Sequence, residues 1–174
     1  MTNPEFKFAL RKDLEAHPEF LPTRATDTDT GWDVRCAERN GNIISPFQYA
    51  KIRLGFRVFS PPGWWLELRP RSSSHAKKHL NCLYGVLDEG WQGECMLSAQ
   101  YLPPLDLLQD NSYGFVGFDN DEPRLKIDFC DKIGQLIPVK RKEMLVTEVS
   151  NEEYDRLCKE RGGKRGEGGF GSTG

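Results

Sequence analysis

The 174-residue chain lacks the marks of several large protein classes. No apolar run approaches the length of a membrane span, and the first residues hold no signal-peptide core. Neither sign of charge dominates: 24 Lys and Arg stand against 26 Asp and Glu, intermixed, for a formal net charge of −2. That argues against nucleic-acid binding driven by phosphate neutralisation. There is no CxxC pair. The five cysteines (Cys36, Cys82, Cys95, Cys130 and Cys158) are odd in number and scattered, so neither a zinc site nor a disulfide framework is signalled. Reduced thiols in a cytoplasmic protein fit these absences. Helical periodicity is also scarce. What remains is one domain's length of chain, enough to bury a core.

The pattern that is present is β. Ile52, Leu54, Phe56 and Val58 alternate with Lys51, Arg53, Gly55 and Arg57, which predicts one buried and one wet face. Pro61, Pro62 and Gly63 make a turn into the run Trp64, Trp65, Leu66, Glu67, Leu68. Residues 7–11 and 127–139 carry further strand pattern, and 17–24, with two prolines, reads as an extended connection. Short strands punctuated by Gly and Pro predict an all-β fold, a compact barrel or jelly roll. Ser150 followed by Glu153 is a capping-box signature for one short C-terminal helix over 150–160, stopped at Gly162. Residues 101–126 are rich in Pro, Gly, Asp and Asn and read as an insertion between core strands.

Four stretches carry candidate chemistry. In 79–94, HLNCLYGVLDEGWQGE, Asp88 ends an apolar run beside Gly90, Trp91 and Gly93. A lone carboxylate beside an aromatic wall suits a general base over a small flat ligand, although Asp and Gly also begin ordinary turns. In 69–74, RPRSSS, an arginine precedes small hydroxyl residues, a cradle for phosphate or simply a solvated basic loop. In 25–34, ATDTDTGWDV, three aspartates suggest calcium, but counted from Asp27 the glycine falls one position early. The terminus RGEGGFGSTG contains GxGxxG with no helix to follow, which excludes a dinucleotide fold. Such a tail is commonly a disordered terminus; Phe170 and Arg165 within it also suit an arm that stacks on a base and pairs with a phosphate.

Taken in order, these four stretches, together with DKIGQLI at 131–137, resemble the five motifs of the trimeric dUTPase family, phage-type with an insertion. ATDTDTGWDV resembles the first motif, RPRSSS the phosphate-loop motif, GVLDEGWQGE the hairpin motif, DKIGQLI the fourth and RGEGGFGSTG the last. Three positions differ from the usual family residue: Ser73 stands for a glycine in the phosphate loop, Trp91 for a tyrosine under the deoxyribose, and Cys82 for a uracil-facing asparagine. The resemblance implies hydrolysis of dUTP to dUMP and pyrophosphate, with Asp88 as the catalytic base. It implies substrate contacts from Arg71, Ser72, Ser73, Cys82, Gly85, Val86, Leu87, Trp91, Met96, Gln135, Arg165, Phe170, Gly171 and Ser172. It implies Mg2+ held through substrate phosphates and water rather than by protein ligands. It also implies a homotrimer with shared sites, in the cytosol of a bacterium or phage-infected host. Residues 1–161 would form the domain and 162–174 a flexible arm, which at about 3.3 Å per residue reaches some 40 Å.

Two rivals remain. A dCTP deaminase-like enzyme has a related fold, but its proton-shuttling glutamate, ten residues after Asp88, would be Ser98 here. A dUTPase-like regulator would engage a protein partner through the 101–126 insertion and its aromatics.

Overall fold

Alternation along the chain resolves into antiparallel strands held in small sheets. The computed structural model describes residues 3–104 and 124–162, and every structural statement below concerns these. They divide into two compact units, Met1–Arg141 and Lys142–Gly174.

In the first unit, a four-stranded sheet runs β2 (Trp32–Arg35), β11 (Lys132–Lys140), β6 (Trp64–Pro70), β8 (Gly85–Leu87). A three-stranded sheet runs β4 (Tyr49–Arg53), β9 (Met96–Tyr101), β7 (Leu80–Cys82). Two pairs complete it: β1 (Lys7–Leu10) with β5 (Phe56–Phe59), and β3 (Asn42–Ile44) with β10 (Leu125–Ile127). The all-β expectation holds, but the described strands do not close into a barrel. Gly55 separates β4 from β5, Pro61 to Gly63 turn the chain again, and most strands pair with partners remote in sequence, such as β2 and β6 with β11 and β4 with β9.

The alternation predicted for 51–58 is what builds the core. Ile52, Leu54 and Phe56 are at most 1% exposed and Val58 6%, whereas Lys51, Arg53 and Arg57 face solvent. They pack with Val34, Leu68, Leu80, Leu97, Ile127, Ile133 and Leu136 in one continuous cluster. Each such side chain contributes about 1.5–3 kcal/mol on burial. A smaller cluster of Leu14, Phe20 and Ala37 sits beside Phe129, whose ring centroid is 5.0 Å from that of Phe20. The expected extended connection at 17–24 contains instead a 3-10 turn, Pro18–Phe20, because burying Phe20 requires the chain to bend there.

Two α-helices are present among the described residues. The first, α1 (Ser72–Ala76), has no counterpart in the sequence pattern: a run of serines carries no helical signal. It is fixed from outside by Ser74, 1% exposed, whose hydroxyl donates to the Ile133 carbonyl at 2.7 Å. The second, α2 (Asn151–Arg161), lies in the Lys142–Gly174 unit, where the Ser150 hydroxyl accepts the Glu153 N–H at 3.2 Å and Gly162 ends the helix at φ +59°. Only half of the capping box forms, since the Glu153 carboxylate pairs with Arg156. None of the residues in α2 is buried. No helix among the described residues is long and apolar enough to cross a membrane.

Gly55 is the sharpest local requirement of the core. Its φ is +77°, and a Cβ there would overlap Leu14 Cδ1 and lie 2.7 Å from Ala37 Cβ. Gly55→Ala combines left-handed strain with overpacking and is expected to cost about 2–4 kcal/mol. Urea unfolding measures this, and an unchanged midpoint would contradict the packing described.

Candidate active site

The first half of the site is a knot of three strands. On β11, Gln135 lies opposite Asp33 of β2 on one side and Arg69 of β6 on the other. The Asp33 carboxylate, with its side chain 13% exposed, receives Arg71 Nε at 3.0 Å and Lys132 Nζ at 2.9 Å. One largely buried anion thus holds two cations, and the surplus positive charge suits an anionic ligand. Arg71 engages Asp33 through Nε. Gln135 donates to the Pro70 carbonyl at 3.2 Å, and its amide fills the space beside Gly31, where any Cβ would overlap Oε1. Glycine at 31 is therefore the counterpart of glutamine at 135.

Arg71 is extended (φ −81°, ψ 151°) and immediately precedes α1. Ser72 is exposed and Ser73 half-exposed, while Ser74 is committed to Ile133. The fold thus brings Arg71, Ser72, Ser73 and Gln135 together. Sequence reasoning singled out all four but missed Lys132 and the part played by Asp33. An ion pair between residues so remote in the chain leaves no local signal.

The second half is built from β7, β8 and the turn after them. These two strands are consecutive but do not pair with each other: β7 lies on β9, and β8 on β6. Gly85 lies opposite Leu68, where a Cβ would be 3.3 Å from Leu68 Cβ, so the missing side chain permits close strand approach. Val86 is 60% exposed and Leu87 8%, with Leu87 facing the core. Cys82 is half-buried opposite Ala99, and burial pushes its thiol pKa up to about 11, so it is neutral at physiological pH. Met96, on β9, is partly exposed. Tyr84, absent from the sequence reading, sits beside Gly85 with the Arg69 guanidinium 5.5 Å from its ring centroid. An aromatic immediately ahead of that glycine was the available signal.

Asp88 is exposed, and among the described residues no hydrogen bond or ion pair engages its carboxylate. Its carbonyl accepts the Trp91 N–H at 3.0 Å, closing the turn. The Trp91 indole lies over Gly93, where a Cβ would be 2.6 Å from Cζ2. The adjacent acid differs: Glu89 Oε2 accepts the Gly63 N–H and Arg141 Nη1, each at 2.9 Å.

Within one chain Asp88 and Arg71 are separated along β6: Asp88 follows the Leu66–Leu87 pair, and Arg71 follows Pro70. About 13 Å of strand lies between Leu66 and Pro70. Arg165, Phe170, Gly171 and Ser172 lie outside the described residues, as does 105–123, the greater part of the insertion. Among the described residues, no three His, Cys, Asp or Glu side chains are grouped to hold a metal ion.

No family model matches the chain. It is similar to the deoxyuridine 5'-triphosphate nucleotidohydrolases of Mycobacterium marinum (31% identity, covering 88% of this chain and 87% of the relative) and Cutibacterium acnes (30%, covering 91% and 88%). The Clostridium tetani enzyme is 28% identical over 97% of this chain and 98% of its own. In fold the chain resembles the dUTPase of Staphylococcus bacteriophage 80alpha, solved as a point mutant with dUpNHpp (TM-score 0.72, 23% identity, 99% of both chains). It also resembles the dUTPase of S. aureus phage phi11 (TM-score 0.67, 22% identity, 84% of this chain and 97% of that one). With relatives at 30% and 31% identity over most of its length, the chain belongs to the deoxyuridine 5'-triphosphate nucleotidohydrolase, or dUTPase, family.

Proposed function

We propose that this protein hydrolyses dUTP to dUMP and pyrophosphate, with Asp88 taking a proton from the attacking water. The observation that carries the reading is the contrast at the turn after β8: Glu89 is bound by Gly63 and Arg141, whereas the neighbouring Asp88 carboxylate has no partner among the described residues. A general base needs that freedom, together with a fixed backbone beneath it. In this reading Asp88 orients water for in-line attack on the α-phosphorus. Arg71, Ser72 and Ser73 bind the phosphates, and Gln135 contacts the α-phosphate region. The Trp91 indole, seated on Gly93, packs under the deoxyribose and leaves no room for a 2′-hydroxyl. The backbone of Gly85, Val86 and Leu87 reads the uracil edge, flanked by Cys82 and Met96.

Magnesium, held through substrate phosphates and water, would supply charge neutralisation on the pyrophosphate leaving group. The Asp33 carboxylate is already paired with Arg71 and Lys132, so phosphate oxygens and water are the ligands this reading assigns to the ion. A point mutant of the phi11 phage enzyme coordinates a structural Mg(II) ion.

The separation of Asp88 from Arg71 supports a site assembled between subunits, and we assign the chain to a homotrimer. Residues Met144, Leu145 and Val146, at 79%, 97% and 83% exposure, offer apolar surface for a neighbouring subunit to cover. Arg165 to Ser172 complete the site as a closing arm, with Phe170 stacked on the base and Arg165 on phosphate. A base–aromatic stack is worth about 1–3 kcal/mol, enough to order an arm on substrate without retaining it on product.

Asp88→Asn is expected to lower kcat by at least about a hundredfold while dUTP binding stays near wild type, because the amide keeps the size but accepts no proton. Turnover within a few-fold of wild type, measured by pyrophosphate release, would remove Asp88 as base. Deleting 165–174 is expected to cut turnover more than about tenfold, the equivalent of one lost stack, and to move the melting temperature little. Full activity of the truncated chain would leave the tail without a catalytic part.

A further inference from the structure

The turn that carries Asp88 is poor in anchors of its own. Gly90 has nothing within 4 Å of where a Cβ would be, and the Trp91 ring folds back over Gly93 within the same turn. Glycine-rich backbone is conformationally free, and an exposed carboxylate on such a turn has no fixed direction unless something outside the turn holds it. Glu89 supplies a hold from outside.

Its carboxylate meets a partner that is itself rigid. Pro61, Pro62, Gly63 and Trp64 form a turn in which Trp64 N–H donates to the Pro61 carbonyl at 3.1 Å, with Gly63 at φ +76°. A positive φ at the third position, here glycine, is what a type II turn requires, and proline at the second favours it. This geometry fixes the direction of the Gly63 N–H, and Glu89 Oε2 accepts it at 2.9 Å. The same oxygen accepts Arg141 Nη1 at 2.9 Å, and the Arg141 N–H donates to the Gly63 carbonyl at 2.8 Å. Gly63, Glu89 and Arg141 therefore close a ring of hydrogen bonds. It lies where β6 begins and β11 ends, since Trp64 pairs with Lys140 there. The residue immediately before Glu89 is Asp88.

We infer that Glu89 is a positioning residue for the hydrolysis: it fastens the Asp88 turn to the ends of β6 and β11 and so sets the direction of the Asp88 carboxylate. The inference rests on Asp88 being the base. Glu89 does not touch substrate; its effect passes through the backbone it shares with Asp88. A misplacement of about 1 Å in a reacting group can lower a rate by up to about a hundredfold.

The test compares Glu89→Gln, Glu89→Ala and Asp88→Asn in the full chain, with dUTP as substrate. Glu89→Gln retains a carbonyl for the Gly63 N–H and loses the charge, whereas Glu89→Ala loses both. The expected result is a graded fall in kcat, a few-fold for Gln and roughly ten- to a hundredfold for Ala. KM stays within about twofold, and the Ala variant causes no further loss when combined with Asp88→Asn, as for groups acting as one unit. A residue that only supported the fold would lower kcat/KM and melting temperature together and would add its loss to that of Asp88→Asn. Wild-type kcat in Glu89→Ala, with Asp88→Asn inactive, overturns the inference and leaves the base in place. Additive losses also overturn it. Retained turnover in Asp88→Asn instead overturns the reading of Asp88 itself.

Discussion

The Asp33 carboxylate holds together what the chain keeps far apart. Through Arg71 and Lys132 it joins β2, β11 and the segment leading out of β6, three pieces that meet only in the folded sheet. Removing one member of such a partly buried group leaves the others unmatched, and that penalty exceeds what the intact pairs contribute beyond an apolar replacement. The knot is better understood as fixing geometry than as adding stability. It turns Arg71 so that Nε faces inward, and Gln135, packed against Gly31, locks the adjoining backbone. Stability comes from the apolar cluster behind it, from Val34 through Leu68 to Leu136.

The two halves of the site follow different designs. The Asp33 side, proposed to bind phosphate, is pre-formed inside one chain, with two cations on one carboxylate and its backbone bonded. The Asp88 side keeps an unengaged carboxylate on a turn of few contacts, steadied by the ring through Glu89. A pre-formed anion cradle lowers the reorganisation needed when a triphosphate arrives. An unengaged carboxylate is open to a water molecule, whereas one already bonded on both sides is not. Setting Asp88 and Arg71 apart along β6 separates these demands, and assembly between subunits reunites them in the proposed trimer.

Much of this was legible in the sequence wherever the signal was local. The alternation from Ile52 to Val58, the turn at Pro61 to Gly63 and the Ser150 cap each depend on neighbours a few residues away, and each formed. The motif resemblance singled out Asp88, Arg71 and Gln135 as candidates, of which Gln135 lies against Pro70 beside Arg71. What escaped were features set by distant partners. Helix α1 exists because the Ser74 hydroxyl reaches Ile133, which three serines in a row cannot reveal. Lys132 and Glu89 gain their meaning from Asp33, Gly63 and Arg141, all remote in sequence. The described strands form separate small sheets rather than the expected closed barrel, and which strand pairs with which is set by partners remote in sequence, which alternation alone does not convey.

The most direct test of a site divided between subunits is complementation. Chains carrying Asp88→Asn and chains carrying Arg71→Ala are made together, so that mixed trimers form, and dUTP turnover is measured after native mass spectrometry has established mixing. A shared site predicts that each variant alone is nearly inactive and that the mixture recovers a substantial part of wild-type turnover, because some sites then pair an intact Asp88 from one chain with an intact Arg71 from another. Mixed trimers as inactive as their parents would contradict it and would place both residues of each working site in a single chain.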